Sequence, residues 1–160
     1  MTFQYIIRES VLEDAAKLHP NLRPADVLEC KGLGVVPMEA LKEATYGPDS
    51  YTLVADDGYI LGMFGLGEFI PDPGLSPVWL LGTDLLVAKH ARQFLRDSRN
   101  WINQWSWDRG TLGNIVHREN VIHHRWLEWL GFTIYHKNPF MSLCGHIYFP
   151  FTRSHTCVNQ

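Results

Sequence analysis

Hydrophobic positions along the chain repeat sometimes every second residue and sometimes every third or fourth. The switches between these periods outline the fold. Phe3 to Arg8 alternates as an opening strand, and Leu12 to Leu18 follows as a short helix with Glu13 and Asp14 in its first turn. The segment LRPADVLECKGLG reads as a second helix, with Pro24 suited to the first turn and Gly32 and Gly34 to the exit; Pro37 to Ala44 is a third. From Ser50 the period returns to two: YTLVA, the turn Asp56-Asp57-Gly58 and YILGMFGLGEF together predict a β-hairpin.

After the loop IPDPGLSP, the run VWLLGTDLLV is continuously apolar apart from Thr83 and Asp84, as in a strand buried on both faces, and it is expected to be the central strand. Lys89 to Trp107 is the longest helical pattern, with Ala91, Phe94, Leu95, Ser98, Ile102 and Trp105 on one packing face. Gly110 ends it. TLGNIVH is then a strand, Val121 to Leu130 a helix closed by Gly131, and FTIYH and MSLCGHIYFPF the final strands. This order predicts an α/β fold with a mixed sheet flanked by helices, in one domain over residues 1–152 with a tail at 153–160.

Composition changes this picture little. With 46% hydrophobic and 19% charged residues in 160, the chain is a folded globule and not a disordered one. A net charge of −3 argues against nucleic acid as a general partner, and no stretch approaches a membrane span. Three cysteines, Cys30, Cys144 and Cys157, without a Cys-x-x-Cys pair point to a reducing cytoplasm.

One segment carries a family resemblance. In NVIHHRWLEWLGF, Asn120 opens a helix that Gly131-Phe132 closes eleven residues later, which resembles the C-terminal motif of the GNAT N-acetyltransferases. The resemblance implies a GNAT-like, mostly antiparallel central sheet and acetyl-CoA as cofactor. RPADVLECKGLG and the aromatic-rich region from Trp101 to Phe132 also resemble small internal virion or acetyltransferase-like proteins of short-tailed bacteriophages. That second likeness implies a place in the host cytoplasm or the virion and a viral or host protein partner.

In GNAT proteins the cofactor pyrophosphate sits on a Gly-rich loop ahead of the long helix. Here the matching stretch, LLVAKHARQF, has no glycine between Gly82 and Gly110. The resemblance therefore places the cofactor on Leu86, Val87, Lys89, His90 and Arg92, with Asn120 at the second helix, and side-chain cations take over from backbone N–H groups. The alternative for Lys89, Arg92, Arg96 and Arg99 is a solvated helix face.

The Tyr that many family members carry seven residues after the Asn is Leu127 here. Glu68 and Asp84 are the candidate general bases. Cys144, His146, His155 and Cys157 offer two Cys and two His at spacings unlike those of structural zinc sites, so no metal is expected there. His117, His123 and His124 flank the last helix as surface or cap residues, with His123 near the cofactor cleft. Trp101 and Trp105 are expected to pack, and any exposed Trp to serve a protein interface. Two functions follow: an acyl-CoA-dependent N-acetyltransferase with an altered cofactor loop, or a non-catalytic virion-assembly or partner-binding protein on the same fold.

Overall fold

The computed structural model describes residues 4–67 and 74–155. The elements are β1 (Tyr5–Glu9), α1 (Leu12–Leu18), α2 (Pro24–Gly32), α3 (Pro37–Thr45), β2 (Ser50–Ala55), β3 (Ile60–Leu66) and β4 (Leu75–Gly82). They are followed by α4 (Asp84–Arg109), β5 (Thr111–His117), α5 (Val121–Trp129), β6 (Thr133–Ile134), β7 (Phe140–Met141) and β8 (Ile147–Arg153).

One sheet runs in the order β1-β2-β3-β4-β5-β8-β6, with β7 also paired to β8. Every pairing is antiparallel except β4 with β5. The expected mixed, mostly antiparallel α/β architecture is therefore observed. The β2–β3 hairpin turns at Gly58, whose φ of 85° explains the glycine.

Apolar side chains from α4 and α5 pack on one face of the sheet in a cluster built on Leu61, Phe94, Ile102, Trp105 and Phe151. The other face is covered by α1 and α3 through Ala15, Leu18 and Leu41, against Ile60, Met63 and Leu81. The rings of Trp101 and Trp105 lie 4.7 and 6.4 Å from that of Tyr51, so they pack as expected, whereas Trp107 is exposed.

The apolar run at 78–87 is not one strand. β4 ends at Gly82, and Thr83 caps α4, its Oγ1 accepting the Leu86 N–H at 3.3 Å while donating to the Leu61 carbonyl at 2.8 Å. The cap lets a hydrophobic strand run straight into a hydrophobic first turn, which periodicity alone cannot separate. The long helix thus begins five residues before Lys89. The last predicted strand is likewise divided, because Gly145, at φ 82°, turns β7 back onto β8.

The closing motif of α5 forms as read. Gly131 has φ 89°, its N–H reaches the Glu128 carbonyl at 3.0 Å, and the Phe132 N–H reaches the Leu127 carbonyl at 2.9 Å. That is a Schellman ending, and it drops Phe132 into the core.

Candidate functional site

The parallel pair at the middle of the sheet is short. β4 and β5 are in register only over Leu75–Pro77 and Thr111–Gly113. Pro77 has no N–H to give the ladder, and just beyond it Asn114 inserts its side chain between the strands. The Asn114 amide donates to the Val78 carbonyl at 2.9 Å and accepts the Ile115 N–H at 2.9 Å. A side chain thereby stands where a direct strand-to-strand bond would be, and past it the strands diverge.

The divergence opens an apolar cleft of about 440 Å³ that passes between the strands and is lined from both faces of the sheet. Leu33, Val35 and Ala40 contribute from the α2–α3 side, and Phe94, Trp101 and Trp126 from the α4–α5 side. Few polar side chains reach it: Glu29, Glu43, Ser98, Asn114 and His123, besides the Cys30 thiol.

At the far end of the gap, α2 supplies the partners that the two strands no longer give each other. The Gly82 N–H donates to Asp26 Oδ2 at 2.8 Å, and the Gly82 carbonyl accepts the Arg23 N–H at 2.8 Å. On the other strand the His117 N–H donates to Glu29 Oε1 at 2.5 Å. Asp26 and Glu29 lie one helical turn apart and so project from one face of α2.

From α5 come Asn120 and His123, also three residues apart. Asn120 occupies the cap position, but its side chain makes no cap bond. It faces α2 instead: its amide nitrogen lies 3.3 Å from Asp26 Oδ1 and 3.2 Å from Glu29 Oε2, and its oxygen 3.4 Å from Arg23 Nη2. His123 stacks on Trp126 at 5.7 Å and turns Nε2 toward Asp26 Oδ1 at 3.4 Å and Nδ1 toward Glu29 Oε2 at 3.8 Å.

Five buried or half-buried polar residues, Arg23, Asp26, Glu29, Asn120 and His123, therefore meet at one point between the strand ends. Burial shapes their protonation. Desolvation drives the Glu29 carboxyl up to about 7, with the His117 N–H opposing and the neighbouring Asp26 charge adding to the rise. Burial pushes the His123 imidazole below its usual range, against the pull of Asp26.

The residues expected from sequence to hold a cofactor fall elsewhere. Leu86 is buried in the core cluster under α4, and His90 is buried edge-on to Tyr5 at 5.7 Å. Val87, Lys89 and Arg92 all lie within α4, beyond its capped first residues, with Lys89 and Arg92 exposed. Asp84 is the first residue of α4 and not a strand residue; its side chain is 84% exposed, 4.0 Å from Arg23 Nε. Glu68 lies outside the described residues.

Among those that are described, only Asn120 joins the cluster. Near the C-terminus, His146 Nδ1 lies 2.9 Å from His117 Nε2, His155 packs edge-on to Trp107 at 4.7 Å, and Cys144 is exposed. Cys157 lies outside the described residues. Sequence reasoning missed Arg23, Asp26, Glu29 and Asn114; only Asp26 and Glu29 had a readable signal, a polar pair at i, i+3 matched by Asn120/His123 at the other short helix.

Neither a known family profile nor a curated protein matches the sequence. Solved structures do. The chain resembles a GNAT-family acetyltransferase from Bacillus anthracis at a TM-score of 0.67 and 11% identity, over 96% of both chains. It resembles a putative phosphinothricin N-acetyltransferase at 0.69 and 13%, over 96% of this chain and 99% of that one. It also resembles the spermidine N-acetyltransferase of Vibrio cholerae, solved with CoA and spermine, at 0.63 and 13%, over 94% and 95%. At such identities the likeness establishes the fold: this chain has the GNAT fold.

Proposed function

We propose that the chain is an acyl-CoA-binding, N-acetyltransferase-like protein whose ligand enters the gap between β4 and β5. One observation carries the reading. The two strands separate after three paired residues and leave an apolar cleft of about 440 Å³ through the sheet, the size and character of a small-molecule site. The fold is also that of structures solved with CoA.

Acetyl transfer to an amine forms an N–C bond and breaks the thioester C–S bond, with one proton leaving the amine and one reaching the departing thiolate. Glu29 and His123 are the cleft-lining groups suited to accept the amine's proton, since Glu29 titrates near neutrality and burial favours a neutral His123. Asp84, exposed at the head of α4, would place a negative charge beside any pyrophosphate at that helix start. The nucleotide end of the ligand therefore leaves the cleft by another route than the α4 N-terminus.

Calorimetric titration with acetyl-CoA tests this. Saturable binding is expected, lost in Ile115→Trp, which fills the cleft, and unchanged in Arg92→Glu, which lies outside it. Absence of binding at millimolar acetyl-CoA contradicts it.

A second, non-catalytic reading rests on a different observation. The α2 residues already satisfy Gly82 and His117, and exposed Phe140, Met141 and Leu143 form an apolar tip at the β7–β8 turn. On that reading the fold serves partner binding, of which assembly into a virion is one form.

A further inference from the structure

We propose that Asp26, Glu29 and His123 form a binding site for one first-row divalent metal ion, zinc by preference, between α2 and α5. One ligand atom from each of the three lies within 4.8 Å of the others. His123 Nε2 and Asp26 Oδ1 are 3.4 Å apart, and two ligands on a tetrahedral zinc with bonds of ~2.1 Å are separated by about that much.

The orientation of the carboxylates is the first support. Each is fixed through one oxygen by a strand N–H, Asp26 Oδ2 by Gly82 and Glu29 Oε1 by His117. The second oxygens, Asp26 Oδ1 and Glu29 Oε2, are thereby turned toward the same point, where both accept from the Asn120 amide and Asp26 Oδ1 also accepts from Arg23. Ligand carboxylates held by outer hydrogen bonds are the usual support of a metal site.

The second support is independent. His123 is only 9% exposed, yet its Nε2 has no hydrogen bond among the described residues; its approach to Asp26 Oδ1 is close without being aligned as one. A buried ring nitrogen without a partner calls for an ion or a water, and here it lies beside Asp26 Oδ1, with a Glu29 carboxylate oxygen within the same 4.8 Å cluster. One imidazole and two carboxylates suit zinc or manganese better than magnesium or calcium, and zinc binds more tightly than manganese.

Arg23 Nη1, at 3.3 Å from Asp26 Oδ1, is the competitor. A bound cation displaces it, and the guanidinium already lies 4.0 Å from the Asp84 carboxylate, which can take it over. The inference does not rest on acyl-CoA binding. Where that reading also holds, the ion occupies Glu29 and His123 and inhibits acetyl transfer.

The test uses the full untagged chain, freed of metal by chelation and titrated calorimetrically with Zn²⁺, Mn²⁺ and Mg²⁺. One equivalent of Zn²⁺ is expected, with weaker Mn²⁺ and no Mg²⁺ binding. His123→Ala and Glu29→Gln, each checked for native circular dichroism, lose about tenfold or more in zinc affinity, and Arg23→Met tightens binding several-fold. Absence of saturable Zn²⁺ binding by the wild-type chain overturns the proposal whatever the variants do. So does binding that survives His123→Ala and Glu29→Gln but is lost in His146→Ala, which would move the ion to the His117–His146 pair. Zinc binding with unchanged acetyl-CoA behaviour supports the site while leaving the acyl-CoA reading to its own titration.

Discussion

Two buried acid clusters tie helices to this sheet, and they are built to opposite specifications. At the β1 edge, Asp14 accepts both Arg8 guanidinium nitrogens at 2.7 and 2.8 Å, the Val11 N–H at 2.9 Å and the Thr52 hydroxyl at 2.8 Å. Burial alone would raise its pKa, but these donors hold it below the ordinary carboxylate range. Between β4 and β5, Asp26 and Glu29 each accept one strand N–H, but their second oxygens share one Asn120 amide at 3.3 and 3.2 Å, the Arg23 guanidinium reaches only Asp26, at 3.3 Å, and Glu29 rises to about 7. The first cluster is a finished joint. The second holds its charges apart from full compensation beside a cleft, which is how binding and proton-transfer sites differ from structural ones.

The largest effect that would sharpen this contrast is expected at the finished joint. Asp14→Ala leaves Arg8 and the Thr52 hydroxyl without their acceptor and should cost about 3 kcal/mol in chemical denaturation. A loss below about 1 kcal/mol would break the contrast. The same site governs acid stability. Because the folded pKa of Asp14 is depressed, its contribution is fully present above the unfolded value of 3.8 and is lost as pH falls through the folded one. Asp14→Asn should flatten the stability profile below about pH 4.

Smaller, and of opposite sign, is the change at Glu29. Its raised pKa means the ionised form is penalised on folding. That penalty is absent below the unfolded value of 4.5, grows as pH rises to about 7 and is constant above. In metal-free solution Glu29→Gln should therefore be more stable than wild type by about 1 kcal/mol at pH 8, with the difference vanishing near pH 4. Destabilisation at pH 8 would make the second cluster as structural as the first. The smallest effect is expected on the exposed face of α4, where Arg92→Ala should change the unfolding free energy by no more than about 0.5 kcal/mol.

The fold was far more legible in the chain than the site. The Asp56-Asp57-Gly58 turn and the Asn120 to Phe132 closing motif each depend on local backbone demands, a positive φ or a helix exit, that particular residue types announce. The end of β4 is hidden because the apolar residues from Val78 to Leu81 resume at Leu85 on the far side of a cap. Thr83 interrupts the run with a hydroxyl whose role is set by Leu61, which is remote in sequence.

The site is concealed for a related reason. Glu29 and Asp26 read as ordinary acids on a short helix, and only the failure of β4 and β5 to pair makes them indispensable partners for Gly82 and His117. Asn114 gives no sign in the sequence that its side chain will stand between two strands. Asn120 is recognisable through its place in the motif, although its side chain serves α2 and not its own helix.

The most direct test of the central claim, that the β4–β5 gap is the ligand site, is a crystal structure grown with acetyl-CoA. The account predicts ligand density between the diverging strands, next to Asn114 and Trp126. Density on the α4 face around Lys89 and Arg92, or none in the gap, would contradict it.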